Sequence, residues 1–246
     1  MPGTMRLVTW NCCRRSYERK APLLDSLAAD IAVIQECAKP IAESDTCLWF
    51  GDNPRQGIAV QSSSRYRLRA LPRNDDVPKF VFPVQVTGPE CFSLLAVWSK
   101  GKQPFRYVMG VVKAVEAYRH LFEASPTVLI GDLNSNAIWD TWHPPHLNHT
   151  ALVTSLSNHG LVSSYHHFFS EPHGAETRPT CYLLWKEGRP YHIDYCFVPR
   201  TWANRIRRIE VGSYVAWKQH SDHRPLLVEL EDNAASLKKH LPSGWF

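Results

Sequence analysis

"TVLIGDLNSN", Thr127 to Asn136, is an apolar run that stops at Gly131 and then presents Asp132, Asn134 and Asn136. Thr127-Val128-Leu129-Ile130 reads as a buried strand. The polar residues after it spell a turn, because short Asp and Asn side chains hydrogen-bond nearby backbone and Gly takes unusual dihedrals. The same residues also suit a strand that aims polar groups into a cleft, where loops on a rigid scaffold carry chemistry. The stretch alone leaves both readings open.

Four other apolar segments repeat the pattern. Leu7-Val8-Thr9-Trp10 ends in Asn11, and Ile31-Ala32-Val33-Ile34 ends in Gln35-Glu36. Tyr191-His192-Ile193-Asp194-Tyr195 carries a carboxylate inside an apolar strand, and Ser221-Asp222-His223-Arg224-Pro225 precedes the last core strand. Singly, each has a structural explanation: a turn cap at Asn11, a surface side chain at Glu36, a helix cap at Asp222, a packed ring at His223. Asp194 is the hardest to explain that way, since a buried carboxylate needs a partner. Five such ends together point to one polar cleft built from strand termini.

The residue types define a chemistry. Glu36 and Asp222 are hard oxygen ligands suited to Mg²⁺, with Mn²⁺ as an alternative. His223 beside an aspartate is a proton-transfer or phosphate-contacting group. Asp132 suits the orientation and deprotonation of a water, and Asn11 and Asn134 suit phosphate oxygens without adding negative charge. Such a set points to metal-assisted hydrolysis of phosphate esters.

The remaining chain supplies the frame. Strands are expected over residues 6–10, 31–34, 57–61, 66–71, 80–87, 92–98, 127–130, 161–169, 180–185, 192–198, 205–211 and 225–230. Helices are expected over 20–29, 105–124 and 149–158. Many strands with few helices suggest two packed sheets flanked by helices. One domain is expected over residues 5–231, followed by a tail over 232–246 whose Trp245-Phe246 is available to dock on the body.

The chain has 246 residues, 44% hydrophobic, enough for a substantial core. No apolar run approaches the ~20 residues of a membrane span, and no signal peptide is expected. Seven cysteines without framework or paired metal spacing point to buried thiols in a reducing, cytoplasmic setting rather than to disulfides or zinc. The net charge of +5 is compatible with an anionic substrate. The densest basic group, Arg205-Ile206-Arg207-Arg208, reads as a solvated strand face.

In order along the chain, Thr9-Trp10-Asn11, Asp30 to Glu36, Gln56-Gly57-Ile58-Ala59-Val60, Gly131-Asp132-Leu133-Asn134, Ile193-Asp194-Tyr195 and Ser221 to Pro225 resemble the endonuclease/exonuclease/phosphatase superfamily, the DNase I-like fold. The resemblance spans roughly residues 6–230 and is specific because the GDLN and SDHRP motifs occur together, in that order. It implies a four-layer α/β/β/α sandwich of two mixed sheets with a site at one rim. It implies Glu36 as principal Mg²⁺ ligand with Asp222 as the second, and Asp132 as the group that activates water. Asn11 and Asn134 would bind the scissile phosphate, and Asp194 would orient His223 against it.

Two positions depart from the family pattern. Many members carry Asp two residues after the first Asn, where this chain has Cys13, a poor Mg²⁺ ligand. The family's His or Tyr before the long helix falls on Trp98, which cannot act as an acid. Trp98 and Lys100 are expected as substrate or phosphate contacts, with a core Trp and a solvated Lys as the structural alternatives. The reading is thus a monomeric Mg²⁺-dependent nuclease or phosphatase acting on nucleic acid or a small phosphate ester. The alternative is a weakly active or non-catalytic module that binds phosphate ligands.

Overall fold

The computed structural model describes residues 3–14, 17–40, 42–74, 76–77, 80–101 and 105–233. The tail expected over 232–246, with Trp245 and Phe246, lies from residue 234 onward outside the described residues. The chain opens with β1 (Thr4–Asn11), α1 (Tyr17–Ser26), β2 (Ile31–Cys37), β3 (Cys47–Asn53) and β4 (Gln56–Ser62). A meander of β5 (Arg67–Ala70), β6 (Val81–Thr87) and β7 (Phe92–Trp98) leads into α2 (Val108–Ala117) and α3 (Arg119–Ala124). Then come β8 (Thr127–Asp132), a 3₁₀ turn (Ala137–Trp142), α4 (His149–Asn158), β9 (Leu161–Ser163) and α5 (Ser164–Phe169). A small hairpin, β10 (Cys181–Tyr182) and β11 (Pro190–Tyr191), precedes β12 (Asp194–Pro199), β13 (Ile206–Val211), α6 (Tyr214–Trp217) and β14 (Leu226–Glu231).

Twelve of these strands form two six-stranded sheets, ordered β13-β14-β1-β2-β4-β3 and β5-β6-β7-β8-β12-β9. Each sheet is mixed, with one parallel pair: β1 with β2, and β7 with β8. A helical crossover joins each parallel pair, as parallel pairing requires.

Side-chain alternation divides the core by face. Leu7, Val33, Val60, Leu94, Val128, Ile130 and Val228 meet between the sheets. Leu95, Leu129 and Phe197 face the other way, onto Val111 and Val115 of α2 and Leu152 of α4. Val8, Ile34 and Leu227 face Leu23 and Leu24 of α1 and Trp217 of α6. The four layers are therefore helix, sheet, sheet, helix, as the resemblance implies. A fully buried Leu such as Leu129 contributes roughly 1.5–3 kcal/mol.

Several local expectations need correction. The helix expected over 105–124 is split at Tyr118, a buried residue whose hydroxyl accepts the Asn74 N–H and whose dihedrals (φ −96°, ψ 16°) leave the helix. The helix expected over 20–29 runs instead over Tyr17–Ser26. The strand expected over 161–169 ends at Ser163, and the chain coils into α5 with Ser163 Oγ bonded to His166 Nδ1 at 2.7 Å. The strand expected over 180–185 ends at Tyr182, where Leu184 adopts a positive φ of 57°. β3 had no clear strand signal, because its second half is exposed and polar. The basic Arg207 and Arg208 are solvated on β13 as expected, paired with Glu231 and Glu210. All seven cysteines are free. Among the described residues, no helix is long and apolar enough to cross a membrane.

Candidate active site

The polar strand ends converge. Trp98, Asp132 and Asp194 are register partners across β7, β8 and β12, so the three side chains share one row on the face toward the other sheet. Gly131 makes this row possible. It sits at φ +149°, and a Cβ there would lie 1.9 Å from the carbonyl oxygen of Val97. Only glycine lets β8 run this close to β7 while turning Asp132 inward.

From the opposite sheet, Asn11 ends β1 and Glu36 sits in an irregularity of β2 between Gln35 and Cys37. Such an extra residue re-aims its side chain, and Glu36 takes a positive φ of 56° to do so. Asn11 Nδ2 then spans both carboxylates, 2.9 Å from Asp132 Oδ2 and 3.4 Å from Glu36 Oε1. Gln56 Nε2 and Arg14 Nε hold the other Glu36 oxygen at 3.0 and 3.3 Å.

Asp132 is fully buried and bound on several sides. Asn134, itself in a left-handed conformation (φ 45°), donates its backbone N–H at 2.8 Å and its amide Nδ2 at 3.0 Å to the Asp132 carboxylate. Burial first, and the nearby Asp194 second, push the Asp132 carboxyl up to about 7, despite the opposing pull of His223 and Asn11. The expected phosphate-binding amides are thus engaged. Asn11 Nδ2 is shared by Asp132 and Glu36, and Asn134 Nδ2 by Asp132 and the Ser99 carbonyl. Both asparagines clamp Asp132.

His223 forms the expected pair with Asp194, Nδ1 to Oδ2 at 2.8 Å. Burial alone would lower the imidazole, but Asp194, helped by Cys181, outweighs it and holds His223 well above its ordinary value. Ser221 Oγ accepts the His223 N–H at 2.9 Å and donates to the Asn11 carbonyl at 2.7 Å, tying the two loops together. Thr180 Oγ1 accepts the Asp194 N–H at 3.0 Å. Asp194 Oδ1 is buried without a hydrogen-bond partner among the described residues. Asp132, Asp194 and His223 each bring a donor atom within 4.8 Å of the others.

Three further residues, to which the sequence reading gave no role, complete the frame. Buried Arg224 donates Nη1 to the carbonyls of Ser221 (2.7 Å) and His223 (2.9 Å), beneath the rings of Tyr182 and Tyr214. Its place in the Ser221-to-Pro225 motif, directly after His223, is its signal. Thr180 and Arg14 carry none.

No family model matches the sequence, and no curated protein matches it. Solved structures do match, over nearly the whole chain. The AP endonuclease from Archaeoglobus fulgidus is 18% identical with a TM-score of 0.67, covering 93% of this chain and 100% of that one. The 3′ phosphatase NExo from Neisseria, bound to a product DNA hairpin, is 20% identical with a TM-score of 0.65, covering 92% of this chain and 99% of that one. The endonuclease domain of TRAS1, a telomere-specific non-LTR retrotransposon, is 16% identical with a TM-score of 0.65, covering 94% and 99%. The chain has the DNase I-like fold.

Within the DNase I-like fold, the two departures take definite form. Cys13 lies beside both Asp222 and Glu36; burial, then these two carboxylates, push its thiol up to about 12. A thiol held protonated is no ligand for a hard cation. Glu36 and Asp222 both act on that one thiol, and carboxylate oxygens are the donor type that Mg²⁺ or Mn²⁺ takes. Trp98 is buried, 6% exposed, in the core between the sheets. Lys100 Nζ lies 3.4 Å above its ring. The indole is the buried end of the row and the ammonium lies on it, so of the two expected contacts Lys100 is the one nearer solvent.

Proposed function

We propose that this chain is a divalent-metal-dependent phosphoesterase that cleaves phosphate esters in nucleic acid. The observation that carries the reading is the bridge of Asn11 between Asp132 and Glu36, which joins a proton-accepting carboxylate of one sheet to a metal-binding carboxylate of the other. Asp132, poised near neutrality, takes the proton of the attacking water. Asn11 and Asn134 keep its lone pairs aimed. His223, charged and oriented by Asp194, faces the phosphate and neutralises charge that builds on it. Trp98 has no proton to give, so His223 is the protonated group available to the leaving oxygen. Glu36 and Asp222 would hold Mg²⁺ or Mn²⁺, which when bound stabilises negative charge on the phosphate oxygens.

The surroundings support a polynucleotide. The β10–β11 hairpin adjoins the site through Cys181, bridged to His223, and through the Tyr182 N–H, 2.7 Å from the Asp222 carbonyl. It carries the exposed Leu184 and Trp185. Nearby, Tyr191, Trp139 and Trp142 form a row with ring centroids 5.0 and 6.1 Å apart, and Trp142 is 75% exposed. Exposed aromatics beside a phosphate site suit base stacking. The neighbours of like fold include an AP endonuclease and a 3′ phosphatase bound to DNA.

A second reading rests on Cys13. Its protonated thiol removes one ligand from the metal set and favours a module that binds phosphate ligands with little turnover. A panel of single-stranded oligonucleotide, abasic duplex, 3′-phosphorylated DNA, nucleotides and phosphoinositides, with Mg²⁺, Mn²⁺ or chelator, separates the readings. Metal-dependent turnover of a DNA or RNA substrate that is lost in Glu36→Gln supports the proposal. Binding without turnover under every metal supports the module, and turnover confined to phosphoinositides removes the nucleic-acid assignment.

A further inference from the structure

A second cluster of ligand-type side chains lies on the opposite face of β12, between the sheet and α4. His166 Nε2 lies 3.0 Å from Glu176 Oε1, and His166 Nδ1 lies 2.7 Å from Ser163 Oγ. The other Glu176 oxygen accepts Asn136 Nδ2 at 3.0 Å. The His173 ring is stacked on His166 with centroids 3.5 Å apart, and its Nδ1 lies 3.2 Å from His149 Nε2. His149 Nδ1 in turn lies 3.3 Å from Ser135 Oγ.

The arrangement has an inward and an outward side. His166, His173 and Glu176 each bring one donor atom within 4.8 Å of the others. The outward atoms of His166 and Glu176 are held by Ser163 and Asn136, and fixing the far side of a ligand is how proteins orient imidazole and carboxylate at a metal. Two imidazoles and a carboxylate suit an ion of intermediate softness, whereas Mg²⁺ prefers oxygen ligands throughout.

We propose that His166, His173 and Glu176 form a binding site for a divalent transition-metal ion of the zinc class, separate from the acidic rim. In the stacked arrangement the lone pairs of the two rings lie in nearly parallel planes, 15° apart. Binding therefore turns the His173 ring off its stack. His173 and Glu176 belong to the connection between α5 and β10. The site has a structural consequence. It ties this connection to Asn136, two residues beyond Asn134, and so buttresses the catalytic loop from behind.

The test uses the full chain stripped with chelator. Co²⁺ should bind with one equivalent giving d–d absorption that Zn²⁺ displaces and excess Mg²⁺ does not. Zn²⁺ should also raise the thermal midpoint, because it binds only the folded chain. His173→Gln, a half-buried position, should weaken Co²⁺ binding by about tenfold or more, and Glu176→Gln should do the same. Glu36→Gln, in the acidic rim, should leave it intact. Absence of stoichiometric Co²⁺ binding overturns the site. So does a Co²⁺ spectrum unchanged in His173→Gln, or one abolished by Glu36→Gln.

Discussion

The two faces of β12 carry two buried polar networks in which burial weighs differently on the histidines. On the face toward the other sheet, Asp194 pairs with His223 beside Asp132. There burial pushes the Asp132 carboxyl up to about 7, while Asp194 overrides burial at His223 and keeps it charged. On the face toward α4, burial dominates at three of the imidazoles. It pulls His149 and His192 down to about 4 and His173 to about 3, against the weaker opposing pull of nearby carboxylates. Desolvation is common to both faces. What differs is the partner: His223 is hydrogen-bonded to a carboxylate, whereas the rings of His149, His173 and His192 bond a hydroxyl, one another or a backbone carbonyl. His223 therefore stays charged at neutral pH, while His149, His173 and His192 stay neutral.

The largest expected effect tests the first face. Asp132→Asn keeps the shape but removes the proposed proton acceptor, and kcat/KM for the best substrate should fall by about 10²–10⁴-fold with the fold intact. A wild-type rate in this variant would remove Asp132 from the chemistry and leave the two faces alike. His223→Ala should cost about 10²-fold. Asp194→Asn should resemble it, and the double variant should be little worse than either, because the pair acts as a unit. Additive losses would show that the 2.8 Å contact is only structural.

A pH profile sharpens the same contrast. Asp132 in the folded chain keeps its proton to about 7, against 3.8 for an ordinary aspartate. Its folded value is raised, so the unfolded chain binds fewer protons between those values and stability falls as pH rises through that window. The active, deprotonated base appears through the upper part of it. Log kcat/KM should therefore climb with unit slope, about tenfold per pH unit, until about 7. The limb should disappear in Asp132→Asn. A flat profile from pH 5 to 8 would place the essential ionisation elsewhere.

The first face was legible in the sequence because buried strands must end somewhere, and Asn11, Glu36, Asp132 and Asp194 each interrupt an apolar run. The resemblance carried the layering, which the three core clusters reproduce. The second face was not legible. His149, His166, His173 and His192 stand on α4, α5 and two connections, and no periodicity links them. The aromatic and β-branched run near 161–169 imitates a strand, so His166 was expected on an extended segment rather than on α5. The amide roles also escaped the sequence. Asn11 and Asn134 suit phosphate by residue type, and only the distances show that both are turned onto Asp132.

The smallest expected effect tests the second face. Tyr195 follows Asp194 directly but points the other way, toward α4. Its hydroxyl donates to the His192 carbonyl at 2.9 Å and accepts Asn136 Nδ2 at 3.2 Å, in full burial. Tyr195→Phe keeps the ring and its packing. Asn136 Nδ2 retains Glu176 at 3.0 Å and the His192 carbonyl at 2.9 Å, so no donor is stranded. The cost to unfolding free energy should be about 1 kcal/mol, the ordinary net worth of a hydrogen bond, with kcat unchanged. Denaturant unfolding and initial rates on the same preparation check both halves. If kcat fell with stability intact, the hydroxyl would be acting on Asp194 through one peptide unit, and the two faces would be a single coupled site.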